Sequence, residues 1–507
     1  MMKLSSTEIL QLCSPLAASG KLPVCTGVTA DSRRVKPGYI FAAIDGYTAD
    51  GHAFIPQAIA GGAAVILSER SIEQLDDLSP ENPPALLQVS DIRATLSRLA
   101  MAFEGNPQRE MKLAGITGTN GKTTVSTLVH QALTHLGYTC GLMGTVEQRI
   151  GTRISESRLT TGDPEHIAAS LAGMKQAGCT HVVMEVSSHA LDQKRTDALS
   201  FDVAAFTNLS HDHLDYHKTP EAYLSAKKRL FDGLDAKATA IINSDDAAGE
   251  AMLRDCRAGR IRRFGRQNGV LKLLRNDASG LDLLLQNEEE GGPETRLKSR
   301  LTGGFNASNL AAAWLVCRAF GVSARQAAEA LSRAEGPKGR MQKISRETDD
   351  ISVFVDYAHT PDALENVLSS LRTAAPEQPL SVVFGCGGDR DRSKRPEMGK
   401  IAATYAHHIY LTSDNPRSEA PEAIIGEIKD GIPAQAGAKV VCITARPDAI
   451  SAAIARAEVS GIVLIAGKGH ETYQEIHGKR HHMDDAELAA SALRKRPSTQ
   501  TSTSTST

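Results

Sequence analysis

The sequence predicts an α/β fold with mainly parallel sheets, and three observations carry that expectation. Short apolar runs alternate with amphipathic segments along the chain. Nearly every run ends in a polar or glycine-rich turn, where open α/β sheets bind their ligands. At 507 residues the chain is also too long for one hydrophobic core, so about three domains are expected.

The runs are 112–116 (KLAGI), 182–186 (VVMEV), 203–206 (VAAF), 239–242 (TAII), 351–355 (ISVFV), 380–384 (LSVVF), 408–412 (HHIYL) and 461–466 (GIVLIA). A first domain is expected over 1–109, closing near Asn106-Pro107. A second, 110–340, opens with the strand KLAGI. A third, 341–495, follows GPKGRMQ, where the strand–helix rhythm restarts at ISVFVDYAHTPDALENVL. The end of the chain, RPSTQTSTSTST (496–507), is polar and of low complexity, and reads as disordered.

Composition excludes several classes. A formal net charge of −2 offers no global attraction to nucleic acid or to an anionic membrane. No stretch approaches a membrane span, and the N-terminus lacks the apolar core of a signal peptide. The eight cysteines are scattered without a C-x-x-C pair, which suits reduced thiols in a cytoplasm. Cys386 lies in a glycine-rich loop but reads as an incidental buried thiol. A cytoplasmic monomer is expected, with neither nucleic acid nor membrane as partner.

The most informative stretch is TGTNGKTT (117–124). It departs from the usual phosphate-loop pattern G-x-x-x-x-G-K-[ST], because Ile116 stands where the first glycine belongs. Its context is right nonetheless. A strand enters, and a helix leaves with Val125, Leu128, Val129 and Leu133 at helical spacing before stopping at Gly137. Gly118 and Gly121 let backbone N–H groups face an anion at the helix start. Lys122 would reach the outer phosphates of ATP, and Thr123 or Thr124 would touch Mg²⁺.

Further motifs follow in order: EVSSHALDQKR (185–195), TNLSHDHLDYH (207–217), YLSAKKRLFDG (223–233), GGFNASNLAAA (303–313), GRM (339–341), DYAHTPDAL (356–364), GCGGDRDRSKRP (385–396), DNPR (414–417) and AGKGHE (466–471). Together with TGTNGKTT they closely resemble the Mur ligases, over about residues 28–490. The resemblance implies a three-domain architecture: a UDP-binding N-terminal domain, a central P-loop ATPase domain and a C-terminal Rossmann-like domain. It also implies an ADP-forming amide ligase of peptidoglycan precursor synthesis. Such an enzyme phosphorylates a peptide carboxylate with ATP, and an incoming amine then attacks the acyl phosphate. That chemistry is mostly positioning and charge neutralisation.

Site residues carry over from the family motif by motif. Gly118, Thr119, Asn120, Gly121, Lys122, Thr123 and Thr124 match the ATP loop, and Asn306, Arg340, Asp356 and His359 match further nucleotide contacts. Arg340, an always-charged fork, suits the developing γ-phosphate charge. Glu185 and His213 match Mg²⁺ positions beside Thr123. Lys227 matches a lysine carrying a CO₂-derived carbamate, an oxygen ligand for a second Mg²⁺. Lys122, Lys227, His213 and Arg340 are thus the expected catalytic set. A zinc site built from His211, Asp212, His213 and His217 is the competing metal reading, weakened by the lack of a cysteine.

For a UDP-N-acetylmuramoyl-L-alanyl-D-glutamate substrate, TADSRRVKPGYIFAAIDGYTADG (29–51) contributes Ser32, Tyr47, Thr48 and Ala49. Thr160, Thr161, Ser187, Gln193 and Arg195 match positions around the muramoyl and phosphate groups. Leu159 replaces an asparagine common in relatives, which removes a hydrogen bond there. Ser187 could equally be a helix cap, and a cap is the lesser alternative for Asp356. For the amine donor, DNPR points to meso-2,6-diaminopimelate, whose second carboxylate Arg417 can grip through two parallel bonds. Asp414 and Asn415 would face the distal amino group, Arg390 a carboxylate, and Gly467 and Glu471 complete the pocket. Rivals are a lysine-adding or folylpolyglutamate synthetase-like ligase, a nicotinamide oxidoreductase built on GCGGDR, and a non-catalytic nucleotide switch. GCGGDR fits a dinucleotide fingerprint poorly, because Arg390 replaces its last glycine.

Overall fold

The computed structural model describes residues 2–47, 49–75, 83–157, 159–210, 212–267, 270–286 and 294–496. Thr48, His211 and the Ser/Thr-rich tail beyond 496 lie outside the described residues. The chain packs as two compact units. One is formed by residues up to 267 together with 312–327, the other by 270–311 together with 328–496.

The first unit holds two sheets. A five-stranded sheet runs Ala17–Ser19, Ala85–Gln88, Ala63–Ser68, Tyr39–Ala42, Gly27–Thr29, all parallel but for the first strand. An eight-stranded sheet runs Arg260–Phe264, Thr239–Asn243, Val203–Phe206, Lys112–Thr117, His181–Glu185, Cys140–Met143, Glu147–Ile150, Arg153–Glu156. Its last two strands are antiparallel and the others parallel. Parallel strands covered on both faces need apolar side chains throughout. Val182, Val183 and Met184 accordingly show no more than 1% exposure. Lys112–Thr117 sits mid-sheet, with Glu185 registered opposite Ile116 on one side and Phe206 opposite Thr117 on the other. Three strand ends therefore emerge side by side at a point where strand order reverses, the place such sheets reserve for ligands. The helix Lys122–His135 leaves this point with Val125, Leu128, Val129 and Leu133 fully buried.

In the second unit a six-stranded sheet runs Gln342–Lys343, Ser352–Asp356, Ile462–Ala466, Leu380–Phe384, His408–Leu411, Lys439–Cys442, parallel apart from the first strand. Its carboxyl ends feed the loops that carry DYAHT, AGKGHE, GCGGDR and DNPR. The antiparallel sheet Leu271–Asp277, Gly280–Leu285, Thr295–Ser299 and the hairpin Tyr473–Ile476/Lys479–His482 were not marked by apolar runs. Charged residues punctuate these strands, so no continuous run exists. All eight cysteines are free. Cys386 is buried beside Met398 Sδ, and burial pushes its thiol up to about 12, as an incidental thiol would be.

Candidate active site

At the reversal point in the first unit, glycines shape the loop. Gly118 has φ +148°, and a Cβ there would overlap Thr207 Oγ1. Thr207 itself donates to Asn120 O at 2.6 Å and to Thr117 O at 3.3 Å. Asn208, which the motifs did not single out, accepts from Asn120 N on its side chain (2.9 Å) and from Thr119 N on its backbone (2.8 Å). The strand end Val203–Phe206 thus clamps the loop. Lys122 Nζ donates to Gly118 O and Thr119 O at 2.8 and 2.7 Å. Gly121 turns the chain at φ +87° into the helix, and Thr123 and Thr124 are buried in its first turn.

Glu185 is fully buried at its strand end. Its carboxylate accepts from Thr123 Oγ1 (2.9 Å), Thr145 Oγ1 (2.9 Å) and Thr145 N (2.7 Å). Hydroxyl and carboxylate oxygens beside a phosphate loop are a donor set suited to Mg²⁺. Lys227 is buried with 1% exposure; its Nζ donates to Gly118 O at 2.8 Å and lies 4.4 Å from the Tyr223 ring centroid. Burial first, and then the Lys122 charge, hold its amine well below the ordinary lysine value. Tyr223 in turn bonds Thr119 Oγ1 at 3.1 Å, so the helix Pro220–Asp232 anchors both the loop and the lysine. His213, at φ +54°, packs edge-on against His189 and Tyr223. Burial lowers its imidazole, opposed by Asp212. Among the described residues no three His, Cys, Asp or Glu side chains are grouped to hold a metal. His217 is buried against Ser188 Oγ at 3.0 Å, a satisfied core histidine.

A cavity of about 620 Å³ in the first unit is lined by Ser32, Gln193 and Arg195 among others. Ser32 Oγ donates to Gln57 Oε1 at 2.7 Å. Arg195 donates to Gln193 Oε1 and, at 2.8 Å, to Thr161 O. Arg33, Arg34 and Arg93 line the same cavity and were missed. The first two adjoin Ser32 in the sequence, whereas Arg93 comes from a distant helix. Tyr47 is exposed, donates to Asp192 at 2.9 Å and packs at a tilt against the Tyr216 ring. Ala49 is exposed and accepts from Gly46 N. Thr160 Oγ1 lies 3.1 Å from Thr145 Oγ1, and Thr161 bridges Glu185 O to Ser187 N. Ser187 does cap a short helix, accepting from Ala190 N. Leu159 is half exposed at 50%.

In the second unit Asp356 is buried at its strand end and accepts from Met341 N (2.7 Å) and Ala358 N (2.8 Å). Burial raises its carboxyl, opposed by Arg340. The Arg340 guanidinium stacks 4.6 Å over Tyr357, the ring that also meets His359 and His470. Burial lowers the His359 imidazole. Asn306 is buried, donating to Thr302 O and accepting from Asn309.

The loops after the six-stranded sheet converge on DNPR. Arg417, at φ +52°, donates to Gly388 O at 2.7 Å and lies 3.6 Å from Glu475. A Cβ at Gly387 would stand 3.0 Å from its guanidinium, and one at Gly467 only 2.7 Å from Asp414 Oδ2. Gly467, at φ +115°, needs glycine for its backbone conformation as well as for the close approach, whereas a Cβ at Gly387 would need only a small shift of the Arg417 side chain. Asp414 and Asn415 are buried, and Asn415 Nδ2 donates to Glu471 at 2.9 Å. Arg390 is exposed on the GCGGDR loop.

Family profiles match in three places: "Mur ligase family, catalytic domain" over 24–104, "Mur ligase middle domain" over 116–317, and "Mur ligase, glutamate ligase domain" over 339–469. The UDP-N-acetylmuramoyl-L-alanyl-D-glutamate–2,6-diaminopimelate ligase of Pseudomonas aeruginosa is 44% identical over 472 residues, 92% of this chain and 94% of that one. This chain belongs to the Mur ligase family. The like-named enzyme of Cytophaga hutchinsonii is 39% identical over 479 residues, 94% of this chain and 96% of that one. A solved structure of a ligase with the same name superposes with a TM-score of 0.71 at 34% identity, covering 97% of this chain and 99% of the other. The three-domain Mur ligase architecture expected from the motifs is therefore present, although the chain packs as two compact units. The phosphate loop of this Mur ligase lacks the usual first glycine, Ile116 standing in its place. Among the described residues no helix of this Mur ligase is long and apolar enough to cross a membrane.

Proposed function

We propose that this Mur ligase adds meso-2,6-diaminopimelate to the D-glutamate carboxylate of UDP-N-acetylmuramoyl-L-alanyl-D-glutamate, converting ATP to ADP and phosphate, in the cytoplasm. The observation that carries the choice of donor is Arg417, held by Gly388 O in a pocket of strand-end loops. Full-length similarity to ligases named for this reaction supports it.

In this reading the TGTNGKTT loop cradles the phosphates, and Lys122 moves from its loop carbonyls to the outer phosphate oxygens. The arginine-rich cavity takes the nucleotide-sugar, with Arg195 facing its diphosphate. Glu185 and Thr123 would hold Mg²⁺, which supplies charge neutralisation for the transferring phosphoryl group. Lys227 suits carbamate formation because its depressed amine keeps a lone pair available to CO₂; one proton leaves as the anion forms. Arg340, Asn306, Asp356 and His359, all in the second unit, are the further residues whose motifs match nucleotide contacts. Arg417 and Arg390 read the donor's second carboxylate, while Asp414, Asn415, Gly467 and Glu471 line the remainder. L-lysine lacks that carboxylate and would leave Arg417 without its ligand, a loss worth up to about 10⁴-fold in such sites.

A phosphate-release assay with the dipeptide precursor tests the proposal, comparing meso-diaminopimelate, L-lysine and no amino acid, with and without bicarbonate. Release should require meso-diaminopimelate and rise with bicarbonate. Equal turnover of L-lysine would overturn the donor assignment, and no ADP from the full set of reactants would overturn the activity.

A further inference from the structure

Lys468, inside AGKGHE, is fully buried, yet it has no place in the donor chemistry described so far. Its Nζ lies 3.2 Å from Asn415 Oδ1 and 3.2 Å from Glu471 Oε2. Those are the side chains expected to line the amine-donor pocket. A buried ammonium without anionic or polar partners would be strongly disfavoured, and here both partners belong to the site.

The arrangement settles which way the Asn415 amide faces. Its Oδ1 receives two donors, Lys468 Nζ and Glu475 N at 2.9 Å, and its Nδ2 donates to Glu471 Oε2 at 2.9 Å. An amide oxygen has two lone pairs and an amide nitrogen two hydrogens. Both acceptor positions are therefore engaged, and the remaining valence is one N–H. Asn415 consequently offers a donor, which reads a carboxylate and not an amino group. Turning the amide over would set its NH₂ against the Lys468 ammonium and its oxygen against the Glu471 carboxylate.

We propose that Lys468 is a positioning residue for donor selectivity: its buried ammonium locks the Asn415 amide with an N–H toward the donor's carboxylate and fixes Glu471 beside it. This rests on the diaminopimelate reading above, and refines the expectation that Asn415 serves the distal amino group. Without Lys468, Oδ1 keeps only the Glu475 N–H and Glu471 loses its neighbouring cation, so the amide N–H and the Glu471 carboxylate are held less firmly against the donor's carboxylate.

The test is Lys468→Met, a neutral side chain of similar length, with steady-state kinetics on each substrate. The meso-diaminopimelate KM should rise at least tenfold, while KM for ATP and for the UDP-dipeptide stays within twofold. Selectivity for meso-diaminopimelate over L-lysine should fall at least tenfold, a change that general loosening of the fold would not produce. In a Glu471→Gln background the added effect of Lys468→Met should shrink, because the two act through one network. If the single variant does not fold, the charge-balanced Lys468→Met/Glu471→Gln pair is read for the same split. An unchanged meso-diaminopimelate KM, or equal rises for all three substrates, would overturn the assignment. Absence of meso-diaminopimelate turnover by the unaltered enzyme would instead bring down the donor reading itself, and this assignment with it.

Discussion

Gly118→Ala is the sharpest probe of the phosphate loop. The new methyl would overlap Thr207 Oγ1 and stand 3.1 Å from both N and O of Asn208. Thr207 would have to rotate, giving up its bonds to Asn120 O and Thr117 O. Each such bond contributes about 0.5–1.5 kcal/mol. A side chain at φ +148° adds backbone strain of about 1–3 kcal/mol. The sum, about 4 kcal/mol, corresponds to roughly a thousandfold weaker nucleotide binding if the loop must adopt its present shape to bind. Titrating ADP by calorimetry, and measuring KM for ATP, reads this directly. Thr207→Ala loses the same two bonds, so its effect should not add to that of Gly118→Ala, and the double variant should bind within about threefold of Gly118→Ala alone. An ATP KM for Gly118→Ala within about threefold of the parent, or losses that simply add in the double variant, would refute the clamp between these strand ends.

Other outcomes follow from the same geometry. Because the Lys227 amine titrates below its unfolded value of 10.5, the unfolded chain binds the extra proton between the two values, and stability should rise with pH across that window. Lys227→Met should flatten that rise and increase Tm near neutrality in CO₂-free buffer while abolishing turnover; scanning calorimetry from pH 6 upward checks the sign. Arg446 and Asp485 form a fully buried pair, 2.6 Å apart, that also holds Ala466 O. Arg446→Met alone should cost about 3–5 kcal/mol in urea denaturation, whereas Arg446→Met/Asp485→Leu should be near neutral. Arg417→Ala should lower kcat/KM for meso-diaminopimelate by about 100-fold or more, since charge-assisted bonds are worth about 1.5–3 kcal/mol each. Turnover of L-lysine should not fall with it.

Much of this protein was legible in its sequence because the determining physics is local. Apolar runs such as VVMEV and VAAF mark strands buried on both faces, and their termini announced where ligand loops begin. TGTNGKTT declared its glycine turn and helix start, and DNPR placed a fork-shaped cation next to a rigid proline. Charge-punctuated strands such as RLKS carry no such periodic signal, and the antiparallel sheet around them went unread. Only the tertiary structure decided which distant side chains meet. Asn208 clamps the loop from the next strand, Tyr223 ties Thr119 to the lysine's helix, Arg93 joins Arg33 and Arg34 at one cavity, and Lys468 orients Asn415. Strand order and register bring these groups together, and neither is written in any short stretch of residues. A motif fixes which chemical groups are available; the parallel sheet, by aligning its carboxyl ends, decides which of them act on the same atoms.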